Sequence, residues 1–580
     1  MLFSSLQMAS TSMNASTFGI QVAGQNLSNV NTPGYIRERV ILETASPHKP
    51  QGTTVGNGVS VSGVVQMIDT YLEERVRNSL SDANSSAQQS KTYTDLETLL
   101  GELSTNDIST SLTSFFNSID NVLNQPENLT YRKLVAGEGQ ALATKINNTS
   151  QKVLEMQIDL NRQVETVAAQ INELTTQIQS LNVEIARIEA GHTDATQAVG
   201  LRDQRYAALT KLSELINIRT HENENGVISV FCGSDPLIVE GTRREVFVSH
   251  EKDPASDLTA AWVSIEPSNN KLDATGGQLH GLYEGRDVIL DGFAKELDQY
   301  ASSLIWEFNK LYTSGQGLTG YDEITSLESV ENTNVPLNAA GLNYNPVNGA
   351  FCIMVTNTVS GKTSTNDIFV QLTESQTSDD PFGVGNPIPA KGTSLSDLAD
   401  AINAIDGVKA VVTNDNRLAI TAESSEIEFA FADDTSGVLA ALGINTFFTG
   451  TSAKTIDVNQ LMYDDPSKFA ASRTGIGADT QNGESLADMP EMSIKSLGNL
   501  SITQYFQNIY DTTTQKAGTV RAVASADATY YASLESQKQS ISGVNLDEET
   551  INLLTYQRSY QASARYVTVI NEMLQSLLNM

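Results

Sequence analysis

The sequence predicts a multidomain α+β protein whose N- and C-terminal helices pair in a coiled coil, with a long helical bundle and outer β-rich inserted domains. Three observations predict this class. Apolar residues recur at alternating steps of three and four over about 28 residues at each end of the chain. A third stripe of this kind lies in the first half of the chain. The remaining segments alternate between apolar and polar residues, as strands do.

The two terminal stripes match in length and spacing. The N-terminal stripe comprises Leu2, Leu6, Ala9, Met13, Ser16, Ile20, Ala23, Leu27 and Val30. The C-terminal stripe comprises Leu553, Tyr556, Tyr560, Ser563, Val567, Ile570, Leu574 and Leu577. Such a narrow seam needs another helix as its partner. Both helices would be about 42 Å long, so each terminus is the natural partner of the other. All stripe members except alanine and serine form the predicted assembly seam.

The first stripe is rich in Ser, Thr, Asn and Gly, which are poor helix formers on their own. We therefore expect residues 1 to about 40 and about 545 to 580 to be mobile in the dilute monomer. They would fold when neighbouring subunits cover their seams. This composition favours a role in assembly over simple core packing.

The end of the first stripe predicts a sharp turn. Asn31 can cap the helix C-terminus, and Pro33 cannot continue the helix. The pair Pro33-Gly34 fits the two central positions of a type II turn. The chain must therefore reverse direction here.

The string around this turn resembles the N-terminal motif of the axial proteins of the bacterial flagellum, a family of rod, hook and hook-associated proteins. The matching positions are Asn26, Asn29, Thr32, Pro33, Gly34 and Tyr35. At the other end, SGVNLDEE at residues 542 to 549 and YQRSYQA at residues 556 to 562 resemble the C-terminal motif of the same family. Both motifs, at opposite ends of one chain, identify it as a member of this family.

Three internal stretches resemble the hook-associated members in particular. They are Leu112 to Pro126, Leu201 to Arg205 with Leu212-Ser213, and Gly276 to Gly320. The string from Ile444 to Gly450 resembles an insert common in flagellins and hook-associated proteins. One family feature differs, because residues 477 to 483 read GADTQNG where relatives usually have a Gly-Asp-Asn triplet.

The resemblance implies a structural component of the flagellum that polymerises at the distal end of the hook and acts as an adaptor at the hook-filament junction. It implies four partners: other copies of the chain in a ring or helical layer, the hook protein, a second hook-associated junction protein, and an export chaperone on the C-terminal helix from Leu553 to Leu577. It also implies type III export to the extracellular flagellum without a cleavable signal peptide.

Length and composition agree with this interpretation. At 580 residues the chain is too long for a single core. Its net charge of -33 opposes binding to nucleic acid and to anionic membrane surfaces. No apolar run approaches the length of a membrane span, and the N-terminus has no basic region followed by an apolar core.

Periodicity divides the chain into four domains. Residues 1-45 and 541-580 form the terminal coiled coil, and residues 46-216, 276-320 and 500-540 form the helical bundle. Residues 217-275 form a small β domain, and residues 321-499 form the outer β-rich region. Because the β segments interrupt helical ones, they are expected as insertions.

Individual elements follow from local patterns. A heptad-like stripe predicts a helix from Val153 to Ile188 that ends at Gly191, and two more helices are predicted at Thr196 to Ile216 and Gly285 to Leu311. Alternation predicts the strands Val227-Cys232, Glu245-Val248 and Trp262-Ile265. A second β region is predicted from Phe351 to Val458, with a helix at Leu395-Ile405 and a hairpin turn at Asn414-Asn416.

Several strings superficially resemble active sites. His221-Glu222 starts like a zincin motif, but Asn stands at the second ligand position and a strand follows, so we expect a solvated polar turn. Asp433-Asp434 lacks the alternation of a calcium loop, and we expect a second solvated turn. Neither string predicts a metal or catalytic site, and no cofactor is expected.

Two further features have simple structural interpretations. Gly52, Gly56, Gly58 and Gly63 lack the strand-to-helix context of a dinucleotide loop, and predict a hairpin or extended arm. Cys232 and Cys352 fall in predicted strands, where buried free thiols are expected, although a disulfide between them stays open.

Other functions stay open at this stage. Within the family, the chain could be a hook subunit or the second junction protein, and the outer region could have an adhesin-like surface role. A secreted enzyme would need a catalytic constellation between residues 330 and 460, and the sequence offers none there.

Overall fold

The structure is a computed structural model that describes residues 2–46, 56–102, 107–189, 198–252, 258–372 and 392–579. Gly52, Gly191 and Thr196, which were named above, lie outside these ranges. Leu2 is described by its backbone only. The chain forms two compact units. Unit 1 comprises Met1–Tyr93, Met156–Ile289 and Ala517–Met580. Unit 2 comprises Thr94–Glu155 and Leu290–Lys516.

The α-helices are, in chain order, α1 Leu2–Ser28, α2 Thr70–Glu102, α3 Ile108–Asn124, α4 Leu129–Glu189, α5 Val199–Leu215, α6 Gly277–Glu284, α7 Asp291–Tyr312, α8 Leu395–Asn403, α9 Val438–Leu442, α10 Leu461–Asp464, α11 Gln481–Ala487, α12 Ile502–Ser542 and α13 Leu546–Leu578. A π-helical turn, Gly285–Leu290, joins α6 to α7. Short 3₁₀ turns lie at Leu337–Ala339, Pro466–Lys468, Met489–Glu491 and Lys495–Leu497.

The strands are, in chain order, β1 Glu38–Thr44, β2 Val59–Gln66, β3 Arg219–Glu222, β4 Ile228–Cys232, β5 Asp235–Val239, β6 Thr242–Arg243, β7 Val246–Lys252, β8 Thr259–Ile265, β9 Asn270–Lys271, β10 Glu323–Thr325, β11 Gly349–Asn357, β12 Thr363–Val370, β13 Val408–Val412, β14 Leu418–Ala422, β15 Ile427–Ala432, β16 Phe448–Thr449 and β17 Asp457–Val458. Their mixture with long helices confirms the α+β class.

Unit 1 contains antiparallel sheets with the orders β1-β2, β3-β4-β5-β6 and β7-β8-β9. Helix α4 holds these last two sheets through asparagine side chains. Asn172 Oδ1 accepts from the Val246 backbone N–H at 3.1 Å, and its Nδ2 donates to the Val246 carbonyl at 2.6 Å. Asn182 makes the same pair of bonds to Ile228. Each side-chain amide thus bonds to both the backbone N–H and the C=O of one strand residue, as a neighbouring strand would.

Unit 2 contains antiparallel sheets with the orders β10-β14-β13, β12-β11-β15 and β16-β17. The inner faces of the first two sheets enclose one apolar core with α8, in which Phe351, Ile353 and Phe431 are almost fully buried. The Asn403 side chain exchanges two hydrogen bonds with the Ala410 backbone at 2.8 and 2.9 Å, which ties α8 to β13. The sheet edge at β13 is therefore partly covered.

A cluster of aromatic rings joins α3 and α7 within unit 2. The ring of Phe115 lies 5.3 Å from that of Phe308 and 5.4 Å from that of Phe447, between ring centroids. Phe447 and Phe448 meet edge to face at 4.8 Å. Such tilted pairs add stabilisation beyond their buried area. Helix α3 is amphipathic, and its apolar face lines this cluster.

Most predicted elements are confirmed, with shifted ends. The strands predicted near residues 227, 245 and 262 correspond to β4, β7 and β8. The hairpin turn at Asn414-Asn416 joins β13 to β14, and α8 matches the predicted short helix. Helix α4 starts at Leu129, well before the predicted Val153. The stripe was not recognised there because Gly139 and Thr149 interrupt its large apolar residues Val135, Leu142 and Ile146.

Two predicted boundaries are wrong. The helix expected to begin at Gly285 is continuous with α6 through the π-helical turn. A Cβ at position 285 would lie 2.7 Å from Thr92 Oγ1, so this glycine allows close packing on α2 and is not a helix start. The second β region begins at β10, before the predicted Phe351. The sequence did not indicate β10 because a three-residue strand is too short to show alternation.

Candidate assembly site at the paired terminal helices

Helices α1 and α13 pack against each other along a row of small residues on α1. The row is Ala9, Ser12, Ser16, Gly19 and Ala23, and all of these except Ser12 are buried. Ser12 Oγ lies 2.9 Å from Ser563 Oγ, and Ser16 Oγ donates to Ser559 Oγ at 3.2 Å. A Cβ added at position 19 would lie 2.5 Å from the Tyr556 ring. The two backbones therefore approach closely because the side chains between them are small.

The large apolar residues of the predicted seam flank this row. Those that are half-buried are Leu6, Met13, Ile20, Val30, Leu553, Tyr556, Val567 and Leu574. Ile570 is fully buried, whereas Leu27, Tyr560 and Leu577 are 38%, 38% and 57% exposed. Val30 lies beyond the end of α1, in the following turn. The structure thus brings the two stripes together and leaves much of their apolar surface open.

A second apolar strip lies on a different face of α13 from the seam. Its members recur on one helical face and are between 45% and 62% exposed: Ile551, Leu554, Tyr566, Val569 and Met573. Helix α1 adds Phe18, which is 48% exposed, and has no charged residue in its sequence. A helix pair with open apolar surface of this extent is typical of an interaction site.

The predicted turn follows α1. The Tyr35 backbone N–H donates to the Thr32 carbonyl at 3.2 Å, and Gly34 has φ = 78°. This geometry agrees with the predicted type II turn, which requires positive φ at its third residue. The helix is closed by Asn29, whose backbone N–H and side-chain amide both donate to the Gln25 carbonyl, and not by Asn31 as expected.

The motif residue Asn26 is the centre of a buried polar joint. It is fully buried, and its amide donates to the Glu38 carbonyl at 2.9 Å and to Glu549 Oε2 at 3.0 Å. Its oxygen accepts from the Glu38 backbone N–H at 2.9 Å and from the Tyr35 hydroxyl at 2.8 Å. Every hydrogen-bonding position of the amide is therefore used. Asn26 fixes the ends of α1 and α13 and the start of β1 relative to one another.

Arg37 completes the joint. Its Nε donates to Glu549 Oε1 at 2.9 Å, its Nη2 lies 2.7 Å from the same oxygen, and its Nη1 donates to Glu548 at 2.8 Å. The Glu549 carboxylate is almost fully buried, whereas that of Glu548 is mostly exposed. Burial, together with the Glu38, Asp203 and Glu549 carboxylates, raises the pKa of Tyr35, which keeps its hydroxyl a donor.

The start of α13 is capped by Asn545. Its side-chain oxygen accepts from the backbone N–H groups of Asp547 and Glu548 at 3.0 and 3.4 Å. The carboxylates of Asp547, Glu548 and Glu549 then occupy the first turn, where the helix dipole favours negative charge. This end of the helix is therefore well defined by local sequence.

Three residues of the joint were missed by the sequence analysis: Arg37, Glu38 and Glu549. A signal existed, because a charged run at 37 to 39 follows one family motif and an acidic run at 547 to 549 lies within the other. Opposite charges at corresponding ends of two predicted partner helices indicate an ion pair.

The strings that resembled active sites have structural roles. His221 and Glu222 lie in β3, so the expected polar turn there is wrong, and the turn itself lies at 223 to 226. The buried guanidinium groups of Arg202 and Arg205 both donate to Glu222 Oε1, at 2.5 and 3.0 Å. The Glu222 carboxylate is thus held by two cations and not by a metal.

Asp434 is a buried helix cap and not a solvated residue. Its carboxylate accepts from the backbone N–H groups of Ser436, Gly437 and Leu439 at 2.8 to 3.0 Å, at the start of α9. Its neighbour Asp433 is exposed and lies 3.1 Å from Arg473. The sequence could not separate these two roles because the carboxylates are adjacent.

The two cysteines are free thiols. Cys232 is buried, as expected, whereas Cys352 is only half-buried. The expected hairpin after α1 is confirmed as β1-β2, with Gly63 beside its bulge. Within the described ranges, no group of His, Cys, Asp and Glu side chains is arranged to hold a metal ion. None of the helices described is long and apolar enough to cross a membrane.

Comparison with known families gives three matches along the chain. The flagellar hook-associated protein FlgK helical domain matches residues 93–324. The C-terminal family of flagellar basal body rod FlgEFG proteins matches residues 535–580, which include α13. The flagellin hook IN motif matches residues 388–424, upstream of the string at 444 to 450 that resembles such an insert.

Full-length relatives agree with these matches. Flagellar hook-associated protein 1 of Escherichia coli K12 is 23% identical over 98% of both chains. The protein of the same name from Bacillus subtilis 168 is 24% identical over 100% of this chain and 98% of its own. The solved flagellar hook junction protein FlgK from Burkholderia pseudomallei is 16% identical, with a TM-score of 0.49, over 81% of this chain and 100% of its own. Over nearly its full length, the chain is therefore similar to flagellar hook-associated protein 1.

Proposed function

We propose that the chain is a structural adaptor at the hook-filament junction, which polymerises at the distal end of the hook. The full-length similarity to hook-associated protein 1 from two distant bacteria supports this position over that of a hook subunit or a second junction protein. The family is a structural one, and the role requires no cofactor.

The exposed apolar strip on α13 is the observation that carries the proposal. Five large side chains on one face of this helix are about half exposed. Burial of one such side chain contributes roughly 1.5 to 3 kcal/mol, and in a polymer the same contact recurs in every subunit. Copies of the chain, packed side by side along α1 and α13, would cover the strip and the flanking seam residues.

In the assembled state, α1 and α13 form a coiled coil whose small-residue row joins the pair and whose larger seam residues face neighbouring subunits. The terminal domain is then 1-45 with 541-580, and the predicted division of the remaining chain into a helical bundle, a small β domain and an outer β-rich region applies. The terminal pair would be mobile before assembly. Limited trypsin digestion of the monomer would then trim both ends and leave a large resistant fragment.

The partners follow from this position. Hook protein would lie on one side of the layer, and a second hook-associated junction protein on the other. Before export, the open strip on α13 would promote premature association, so an export chaperone that covers Leu553 to Leu577 is expected. The exported subunits become part of the extracellular flagellum.

Electron microscopy of a deletion strain tests the proposal. We expect hooks without filaments, with flagellin released into the medium. Complementation with the wild-type gene should restore filaments. Normal filaments on the deletion strain would exclude a junction role, and an absence of hooks would indicate a hook subunit instead.

A further inference from the structure

Two carboxyl groups meet next to the turn, between strand β1 and helix α5. Glu38 pairs with Gln66 across the β1-β2 ladder, so both side chains leave the hairpin on one face. The Gln66 amide donates to Asp203 Oδ1 at 2.5 Å and to the Val199 carbonyl at 3.3 Å. Glu38 therefore lies beside Asp203 where the hairpin contacts α5.

Within the described residues, no ion pair joins either carboxyl group to a cation. Glu38 is 4% exposed, and its Oε1 has no hydrogen-bond partner. Asp203 is partly buried and accepts from the Gln66 amide and from the Ile36 backbone N–H, which are both uncharged donors. Ionisation of both groups would place two negative charges in a partly buried contact, which is unfavourable. One proton bound by the pair removes this repulsion.

The surrounding charged groups do not compensate the pair. The Tyr35 phenol lies among the carboxyl groups of Glu38, Asp203 and Glu549. Arg37, which precedes Glu38 on the same segment, is paired with Glu548 and Glu549 on α13, and Arg39, which follows it, is exposed. On α5, Arg202, which precedes Asp203, is bound to Glu189 and Glu222. Among the described residues, the two bases that directly precede the carboxyl groups are thus already paired with other acids.

We propose that Glu38 and Asp203 form a proton-dependent clasp, which holds the β1-β2 hairpin on α5 while the pair retains one proton and loosens when both groups are ionised. The clasp acts within a single chain, beside the joint made by Asn26 and Glu549. It would make the link between the terminal helix pair and α5 stiffer in acid than at neutral pH. This property is independent of the position of the protein in the flagellum.

The direction of the effect follows from the pKa values. Burial, together with the Glu38 charge, raises the pKa of Asp203 to about 7, and burial raises that of Glu38. When the clasp opens, the pKa values of both carboxyl groups return to about 4. Between these limits the closed form binds one more proton than the open form. The closed form is therefore favoured in acid, loses roughly tenfold in its equilibrium per pH unit up to about pH 7, and then levels off.

Hydrogen exchange of the full-length chain tests the clasp. Protection factors, which remove the intrinsic pH dependence of exchange, would be measured for residues 36 to 44 and 59 to 66 between about pH 5 and pH 8. In the wild type they should fall roughly tenfold per unit up to neutral pH. In Asp203→Asn, the part of the fall that Asp203 causes, which continues up to about pH 7, should be absent, and only the contribution of Glu38 at lower pH should remain. Glu43→Gln, an exposed position on the same strand, should retain the wild-type slope.

The proposal is overturned if wild-type protection is independent of pH, or if Asp203→Asn retains the wild-type slope. Should Asp203→Asn abolish protection at every pH because the hairpin detaches, Glu38→Gln makes the same comparison. In that variant burial still raises the pKa of Asp203, so the fall in protection should persist but end at a lower pH than in the wild type, which would support the clasp. A profile unchanged from the wild type rejects it.

Discussion

Gly19 on α1 lies against the ring of Tyr556 on α13, so close that a Cβ at position 19 would fall 2.5 Å from Cδ1 of the ring. This contact defines how near the two terminal helices come. It also explains a glycine in the middle of a helix, where this residue costs about 1 kcal/mol relative to alanine.

Gly19→Ala should therefore weaken the helix pair although it favours the isolated helix. The propensity gain is about 1 kcal/mol, whereas overpacking typically costs about 1 to 3 kcal/mol because the Tyr556 ring must move. Gly24 is the matched control, since nothing lies within 4 Å of a Cβ there. Hydrogen exchange should show faster opening of α1 in Gly19→Ala and slower opening in Gly24→Ala. Equal effects of the two substitutions would mean that the close contact is absent.

The sequence predicted that the two termini pair, but only some of the residues that lie between them. Its stripes were recognised from large apolar residues such as Ile20 and Leu574, which are half-buried in the structure. Ser16 belonged to the predicted stripe, whereas Ser12 and Gly19, which also contact α13, carry little apolar signal and did not. Hydropathy periodicity finds the face of a helix, whereas the separation of the two backbones depends on side-chain size.

The sequence also did not predict which asparagine side chains hold distant parts of the chain. Asn172 and Asn182 hold strand backbones 74 and 46 residues away, and Asn26 binds Glu549 across 523 residues. An asparagine on a helix that bonds to a distant peptide group resembles any solvated asparagine in the sequence. By contrast, helix α8 and the β13-β14 hairpin depend on local periodicity and turn residues, and both were predicted.

Glu549→Gln should loosen the joint between the terminal helices. The change leaves the Arg37 guanidinium without its buried carboxylate and places an amide donor among the donors of Arg37 and Asn26. Removing one partner of a buried ion pair costs up to about 3 to 5 kcal/mol, and we expect about 2 to 3 kcal/mol because Arg37 is partly exposed. Urea denaturation followed by exchange at residues 26 to 38 would measure the loss.

Glu548→Gln is the control for this substitution. Glu548 also pairs with Arg37, but its side chain is 56% exposed, so the cost should stay below about 1 kcal/mol. A similar loss in both variants would show that the Glu549 carboxylate is solvated and that Asn26 does not depend on it.

The two thiols should differ in reactivity. Cys232 is fully buried and burial raises its pKa, so maleimide should modify it only after unfolding. Cys352 is half-buried, and burial with the Asp367 carboxylate raises its pKa to about 12. We expect slow labelling of Cys352 in the native protein, and faster labelling in Asp367→Asn. Mass spectrometry of native protein would contradict the structure if Cys232 were modified first or if the two thiols were linked.

Substitutions in the seam test the role of the terminal helices in assembly. Ile20→Asp and Leu574→Asp each replace a half-buried apolar side chain with a carboxylate. Where a neighbouring subunit would cover these positions, the change forfeits roughly 1.5 to 3 kcal/mol of apolar burial and adds the cost of a buried charge. The loss recurs in every subunit of a layer. We therefore expect secreted protein with an unchanged protease-resistant fragment and unchanged melting of that fragment, but no stable incorporation at the hook tip.

Gln561→Asp, at an exposed position of α13, is the matched control and should assemble. Cells that express each variant in the deletion background would be compared by electron microscopy, with the amount of exported protein measured in the medium. If Ile20→Asp and Leu574→Asp are exported at wild-type levels and still form normal junctions, these residues have no part in assembly. Loss of assembly in Gln561→Asp as well would show that any added charge on α13 is harmful, and that the seam itself is not selective.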